Sequence, residues 1–100
     1  MMPSLSELTR STFEPLLHAR FALRLPEQSL ELELIELKSL GSARASHREP
    51  FSLIFRGPRE HWFRQGTYPV QHPKLGTQAL FLVPVGPDAA GMMQYQAIFT

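Results

Sequence analysis

Leu30-Glu31-Leu32-Glu33-Leu34 alternates apolar and acidic side chains with a period of two, the mark of a strand with one dry face and one wet face. At Leu34-Ile35 the phase flips, and Ile35 and Leu37 take over the odd positions. An unbroken strand would turn Glu36 into the core, so the pattern predicts a β-bulge or sharp bend here. Leu30, Leu32, Leu34 and Leu37 are then expected inside, with Glu31, Glu33 and Glu36 in solvent. A long, bent, amphipathic strand suits a small closed or half-closed barrel.

The flanking segments fill in the rest of that architecture. Ser4-Leu5-Ser6-Glu7 fits a capping box and Ser11-Thr12-Phe13-Glu14 repeats it, with Pro15 in a first turn where its missing N–H costs little. Two short helical pieces are predicted, about 4–10 and 12–18, with Leu5, Leu8, Phe13, Leu16 and Leu17 on the inner side. They are too short to stand alone and must lie on the sheet. Beyond His18 only strands and turns are predicted. Phe21, Leu23 and Leu25 point one way, and Pro26 to Ser29 turns the chain into the long strand. Gly41 to Pro50 is polar, rich in Ser and Arg, and reads as a mobile loop. Phe51, Leu53 and Phe55 form the next inward set, stopped by Gly57-Pro58. Pro69 marks the following strand, Gly66 to Val70, as an edge or a short piece. His72 to Gly76 turns back into Gln78–Val85, and Gly86 to Gly91 connects to the alternating Met93, Tyr95, Ala97 and Phe99. The expectation is one mainly β domain over residues 1–100. It comprises a helical segment over 1–19 and a strongly bent five- or six-stranded antiparallel sheet or small barrel over 20–100.

Some apolar positions have no place in a one-sided sheet. Ala79-Leu80-Phe81-Leu82-Val83 is apolar on both faces, and Ile54 and Ile98 occupy otherwise wet faces. Either the N-terminal helices cover this surface or another chain does. Ile54, Leu80, Leu82 and Ile98 are therefore the candidate contacts of a homo-oligomer, a dimer in the simplest case.

Composition narrows the chemistry. There is no cysteine, which removes disulfides, thiol catalysis and cysteine-based zinc sites together. Met1-Met2-Pro3-Ser4-Leu5 is no charged start to an apolar run, so no secretory leader is expected, and the apolar stretches fall far short of the ~18 residues of a membrane span. A cytoplasmic protein with no membrane partner is the expectation. The net charge of +1 hides an asymmetry: residues 1–37 carry −3, residues 38–64 carry +4, and Lys74 balances Asp88 in the remainder. Such a division marks two solvated faces, a basic and an acidic face meeting across an oligomer, or an anionic partner.

No catalytic constellation stands out. His18, His47, His61 and His72 are separated by 29, 14 and 11 residues, without the local spacing of a metal motif. Asp88, the one aspartate, lies in a tight Gly-Pro turn, no serine follows a strained nucleophile turn, and the six glycines are dispersed. Glu31 and Glu33 share a strand face that solvation alone explains. The expectation is a protein that is no enzyme and holds neither cofactor nor metal. The richest segment is Arg56-Gly57-Pro58-Arg59-Glu60-His61-Trp62-Phe63-Arg64. It sets three arginines and a histidine around Trp62 and Phe63, the mixture that stacks bases and neutralises phosphates, and equally the mixture of a protein–protein hot spot. The plainer alternative is that Trp62 and Phe63 cap one end of the barrel.

Phe13-Glu14-Pro15-Leu16-Leu17, Phe51-Ser52-Leu53-Ile54-Phe55-Arg56-Gly57-Pro58, Gln65-Gly66-Thr67-Tyr68 and Phe81-Leu82-Val83-Pro84-Val85-Gly86-Pro87 together resemble a family of small bacterial proteins of unknown function. The resemblance spans most of the chain. It implies a variant of the Sm-like barrel, a helix followed by a strongly bent antiparallel sheet, and it transfers no catalytic residue. Sm proteins read uridine with a loop asparagine and a late Arg-Gly pair. This chain has no asparagine, and its Arg56-Gly57 pair lies mid-chain, so the fold analogy does not carry that site. What it leaves is oligomerisation. The function expected is therefore a non-enzymatic interaction or assembly protein acting as a homo-oligomer. The alternative is RNA or single-stranded nucleic-acid binding through Arg44, Arg48, Arg56, Arg59 and Arg64.

Overall fold

The computed structural model describes residues 4–41 and 49–100. Six strands, β1 (Arg20–Arg24), β2 (Ser29–Ser39), β3 (Phe51–Arg56), β4 (Gly66–His72), β5 (Gly76–Pro87) and β6 (Met93–Phe99), close into a barrel in the order β1-β2-β3-β6-β5-β4. Every neighbouring pair is antiparallel. The mainly β expectation holds, in its six-stranded, closed form.

The phase flip in β2 is a bulge. Leu34 pairs with Phe55 and Glu36 with Ile54, which leaves Ile35 as the extra residue. Leu30, Leu32 and Leu34 are buried and Glu36 is exposed, as the pattern requires. Two positions differ. Leu37 is half-buried because β2 is running off the core at that point, and Glu33 is half-buried because Arg56 of β3 holds it at 2.8 Å. A second bulge interrupts β5 between Pro84 and Gly86, with Gly86 at φ 117, a conformation open to glycine. Pro69 sits inside β4 rather than at its end. β4 pairs with β1 only through Ala22↔Gln71 and Leu23↔Val70, so on that side Pro69 falls just past the ladder, where its missing N–H leaves no gap.

The N-terminal segment is more broken than its pattern suggests. A 3-10 turn (Leu5–Glu7) precedes one turn of helix, α1 (Arg10–Phe13), and a further 3-10 turn (Glu14–Leu16). Glu7 accepts from the Ser4 amide at 2.8 Å, but the second start is Thr9, which accepts from the Thr12 amide; the expected box at Ser11 and Glu14 does not form. Leu8, Phe13 and Leu16 are buried, whereas Leu5 and Leu17 are exposed because turns this short cannot aim every leucine inward. Phe13 packs against Phe51 (5.9 Å) and Phe99 (5.6 Å), which stack on each other at 4.6 Å, and so closes the barrel at the start of β3. The polar Gly41 to Pro50 loop falls mostly outside the described residues, as do Arg44, His47 and Arg48.

Candidate binding surfaces

β3 ends at Arg56, and the chain must then cross the open end of the barrel to reach β4. Gly57 makes the crossing possible: its N–H donates to the Met93 carbonyl at 2.9 Å, and a Cβ there would lie 3.0 Å from the Tyr95 ring and 3.3 Å from Leu32. Phe63 follows as the plug. Its ring stacks on Tyr95 at 3.8 Å and meets Tyr68 edge-on at 4.9 Å, while its N–H donates to the Tyr95 hydroxyl at 3.1 Å. The Tyr68 hydroxyl in turn donates to the Arg64 carbonyl at 2.7 Å. Burial raises the Tyr95 phenol above its ordinary pKa.

The segment is thereby split in three. Phe63 belongs to the core, so for this ring the plainer reading, a cap on the barrel, is the structure. Trp62 turns out to solvent and is 53% exposed, flanked by exposed Arg59 and Arg64, neither of which pairs with a carboxylate among the described residues. His61 is half-buried beside Gln28 at 3.3 Å. Arg56 leaves the group altogether. It ends β3 on the outer wall, 2.8 Å from Glu33 and 3.6 Å from Asp88, and those carboxylates hold its pKa above the usual arginine value.

That wall is a charge ladder: Arg20 lies 2.6 Å from Glu31, and His18 lies 3.6 Å from Glu33. The Arg56 hydrogen bond holds Glu33 below the usual carboxylate range. Asp88 is lowered first by the Met92 amide and further by the Ala90 amide, at 3.0 and 2.9 Å. These partners occupy the one aspartate, and no group of three metal-ligating side chains occurs among the described residues.

The four candidate oligomer contacts separate. Leu80 and Leu82 are 4% and 0% exposed, inside this chain's own barrel, and they form no surface. Ile54 is half-buried and Ile98 is 58% exposed. The residue that replaces the two leucines is Phe81, 52% exposed. An apolar run alone leaves the facing of β5 open, and its nearest polar residue misleads: Gln78 looks wet but is buried, donating to the Leu75 carbonyl at 2.8 Å. Phe81 and Ile98 line an open groove of about 460 Å³ between β5 and β6, with Leu5 of the N-terminal turn and Ala79.

Residues 8–99 match the family described as domain of unknown function DUF6916. The chain belongs to that family. No curated protein and no solved structure matches it. The match begins at Leu8, the first residue of the core, and ends at Phe99, the last residue of β6, so the family's span is that of the barrel and its N-terminal cap. No described helix is long and apolar enough to cross a membrane.

Proposed function

We propose that this family member is a non-enzymatic interaction or assembly module that works as a homo-oligomer, with the groove between β5 and β6 as its contact face. One observation carries the reading: Phe81 and Ile98, each more than half exposed, stand together on one wall with Leu5 and Ala79. A wall built from such side chains marks an interaction surface. A second copy is the occupant we assign. None of the groove's lining side chains is charged, so two copies can meet about a twofold axis without opposing like-charged side chains. We further read the barrel as an Sm-like variant, on the order of its elements and the bulged second strand.

Light scattering at micromolar concentration is the test. The expected mass is twice that of the chain or a higher multiple, and Ile98→Lys or Phe81→Glu should return it to the monomer value. A strictly monomeric wild type overturns the proposal. A second reading, nucleic-acid binding through Arg59, Trp62 and Arg64, is favoured by an exposed indole close in sequence to two exposed arginines that pair with no carboxylate among the described residues, and weakened by the loss of Arg56 to Glu33. Trp62 fluorescence titrated with short single-stranded RNA decides it, since such binding must weaken steeply with salt.

A further inference from the structure

We propose that the outer face of β1 is a binding site for a single oxyanionic group, a carboxylate or a phosphate, centred on Arg24. The outward residues of β1 are Arg20, Ala22 and Arg24. Ala22 is the short one, and it leaves a trough of about 540 Å³ walled by Ser29 and Glu31 of β2 and by Gln71 and Pro73. The two arginines at its ends are in different electrostatic states. Arg20 is neutralised by Glu31 at 2.6 Å. Arg24 is held from both sides by neutral acceptors: the Gln71 side-chain oxygen takes its Nε at 2.9 Å and its Nη2, and the Ser29 hydroxyl takes its Nη1 at 2.9 Å. No carboxylate pairs with it among the described residues.

Holding a guanidinium this way has two consequences. The side chain has already lost its freedom, so a ligand does not have to order it. Its charge also remains uncompensated, because amide and hydroxyl oxygens orient a cation without neutralising it. Five N–H donors minus the three engaged leaves two on the guanidinium. Two N–H groups on a planar fork are what a carboxylate or phosphate accepts. The other arginines do not combine these properties among the described residues. Arg10, Arg20 and Arg56 carry carboxylates, while Arg59 and Arg64 are exposed without any such anchoring. The Arg20–Glu31 pair closes the far end of the trough with no net charge, so the site takes one anionic group. Ala22 and Pro73 offer its remainder a mainly apolar floor.

Amide NMR at constant ionic strength, titrating sodium acetate in one series and inorganic phosphate in another against chloride, tests this on the whole chain. Saturable shifts are expected at Ala22, Arg24, Ser29 and Gln71, and the series that saturates at lower concentration identifies the headgroup. Arg24→Gln should weaken that binding by about tenfold or more, as expected for loss of a charge-assisted pair. Gln71→Leu keeps the charge but frees the side chain and should weaken it less, and Lys38→Gln, which removes an exposed charge elsewhere, should leave it unchanged. Linear, non-saturating shifts in both series overturn the proposal, as does an equal response to Arg24→Gln and Lys38→Gln.

Discussion

Gly57→Ala adds one methyl group at the tightest point of the barrel's closed end, and the structure sets its cost. The new Cβ would lie 3.0 Å from a Tyr95 ring carbon and 3.3 Å from a Leu32 methyl. Tyr95 has no room to retreat, because Phe63 stacks on it at 3.8 Å and its hydroxyl is fixed by the Phe63 N–H. Leu32 is fully buried and equally confined. Forcing a methylene into such a core costs about 1–3 kcal/mol. Gly57 does not have a positive φ, so alanine suffers no backbone strain, and its stiffer unfolded chain returns about 0.4–1 kcal/mol. The net expectation is a loss of about 0–2.6 kcal/mol. With a urea slope of about 1.5 kcal/mol/M, the midpoint should fall by up to roughly 1.7 M. Urea unfolding followed by circular dichroism measures it, with Trp62, the one tryptophan, as a second probe. In a Tyr95→Leu background the same methyl should cost at least about 0.5 kcal/mol less, the lower bound for coupling between contacting residues. A stabilising Gly57→Ala, or an identical cost in both backgrounds, would refute the wedge.

Leu32→Ala should cost about 2–5 kcal/mol by chemical denaturation, because a buried barrel leucine leaves a cavity its neighbours cannot fill. Glu33→Gln should cost about 0.5–1 kcal/mol rather than nothing, since a half-buried carboxylate links Arg56 to the wall, and 1 M salt should shrink the difference. His72 makes stability depend on pH. Its Nδ1 accepts from the Lys74 N–H at 3.0 Å, which only the neutral ring can do, and burial first, then Lys74, lowers its pKa from 6.5. The unfolded chain therefore binds the proton more readily, so stability is full above pH 6.5 and falls as pH drops below that value towards the folded pKa. Melting curves at about pH 7.5 and about pH 5.5 should differ for the wild type and differ less for His72→Gln; equal differences would rule out His72 as the cause.

The strands were legible because each carries its own period. Alternation in Leu30–Leu34 and Met93–Phe99, broken by Gly-Pro and Pro-Glu turns, needs no tertiary information, and even the Leu34-Ile35 bulge shows as a change of phase. Reading fails where one position answers to two demands. Gln78 is polar yet buried for a local carbonyl, which inverts the apparent facing of Leu80, Phe81 and Leu82. The arginine-rich segment looks like one patch because its residues are consecutive. Arg56 still obeys the period of β3 whereas Phe63 answers to a ring pair across the barrel end, and only the closed fold shows that they part. Arg24 gave no signal at all, since its partners lie five and 47 residues away.

The barrel's joints are not equally strong. β1 meets β2 over five register pairs and β4 over two, so the ring of strands has a thin seam between its first strand and its fourth. Thermal opening on the timescale of amide exchange should begin there, with Leu23, Val70 and Gln71 losing protection before the β3–β6 joint does. The side chain that bridges this seam on the outside is Arg24, through Gln71. A ligand that grips that guanidinium should therefore slow amide exchange across this seam, and Arg24→Gln should speed it.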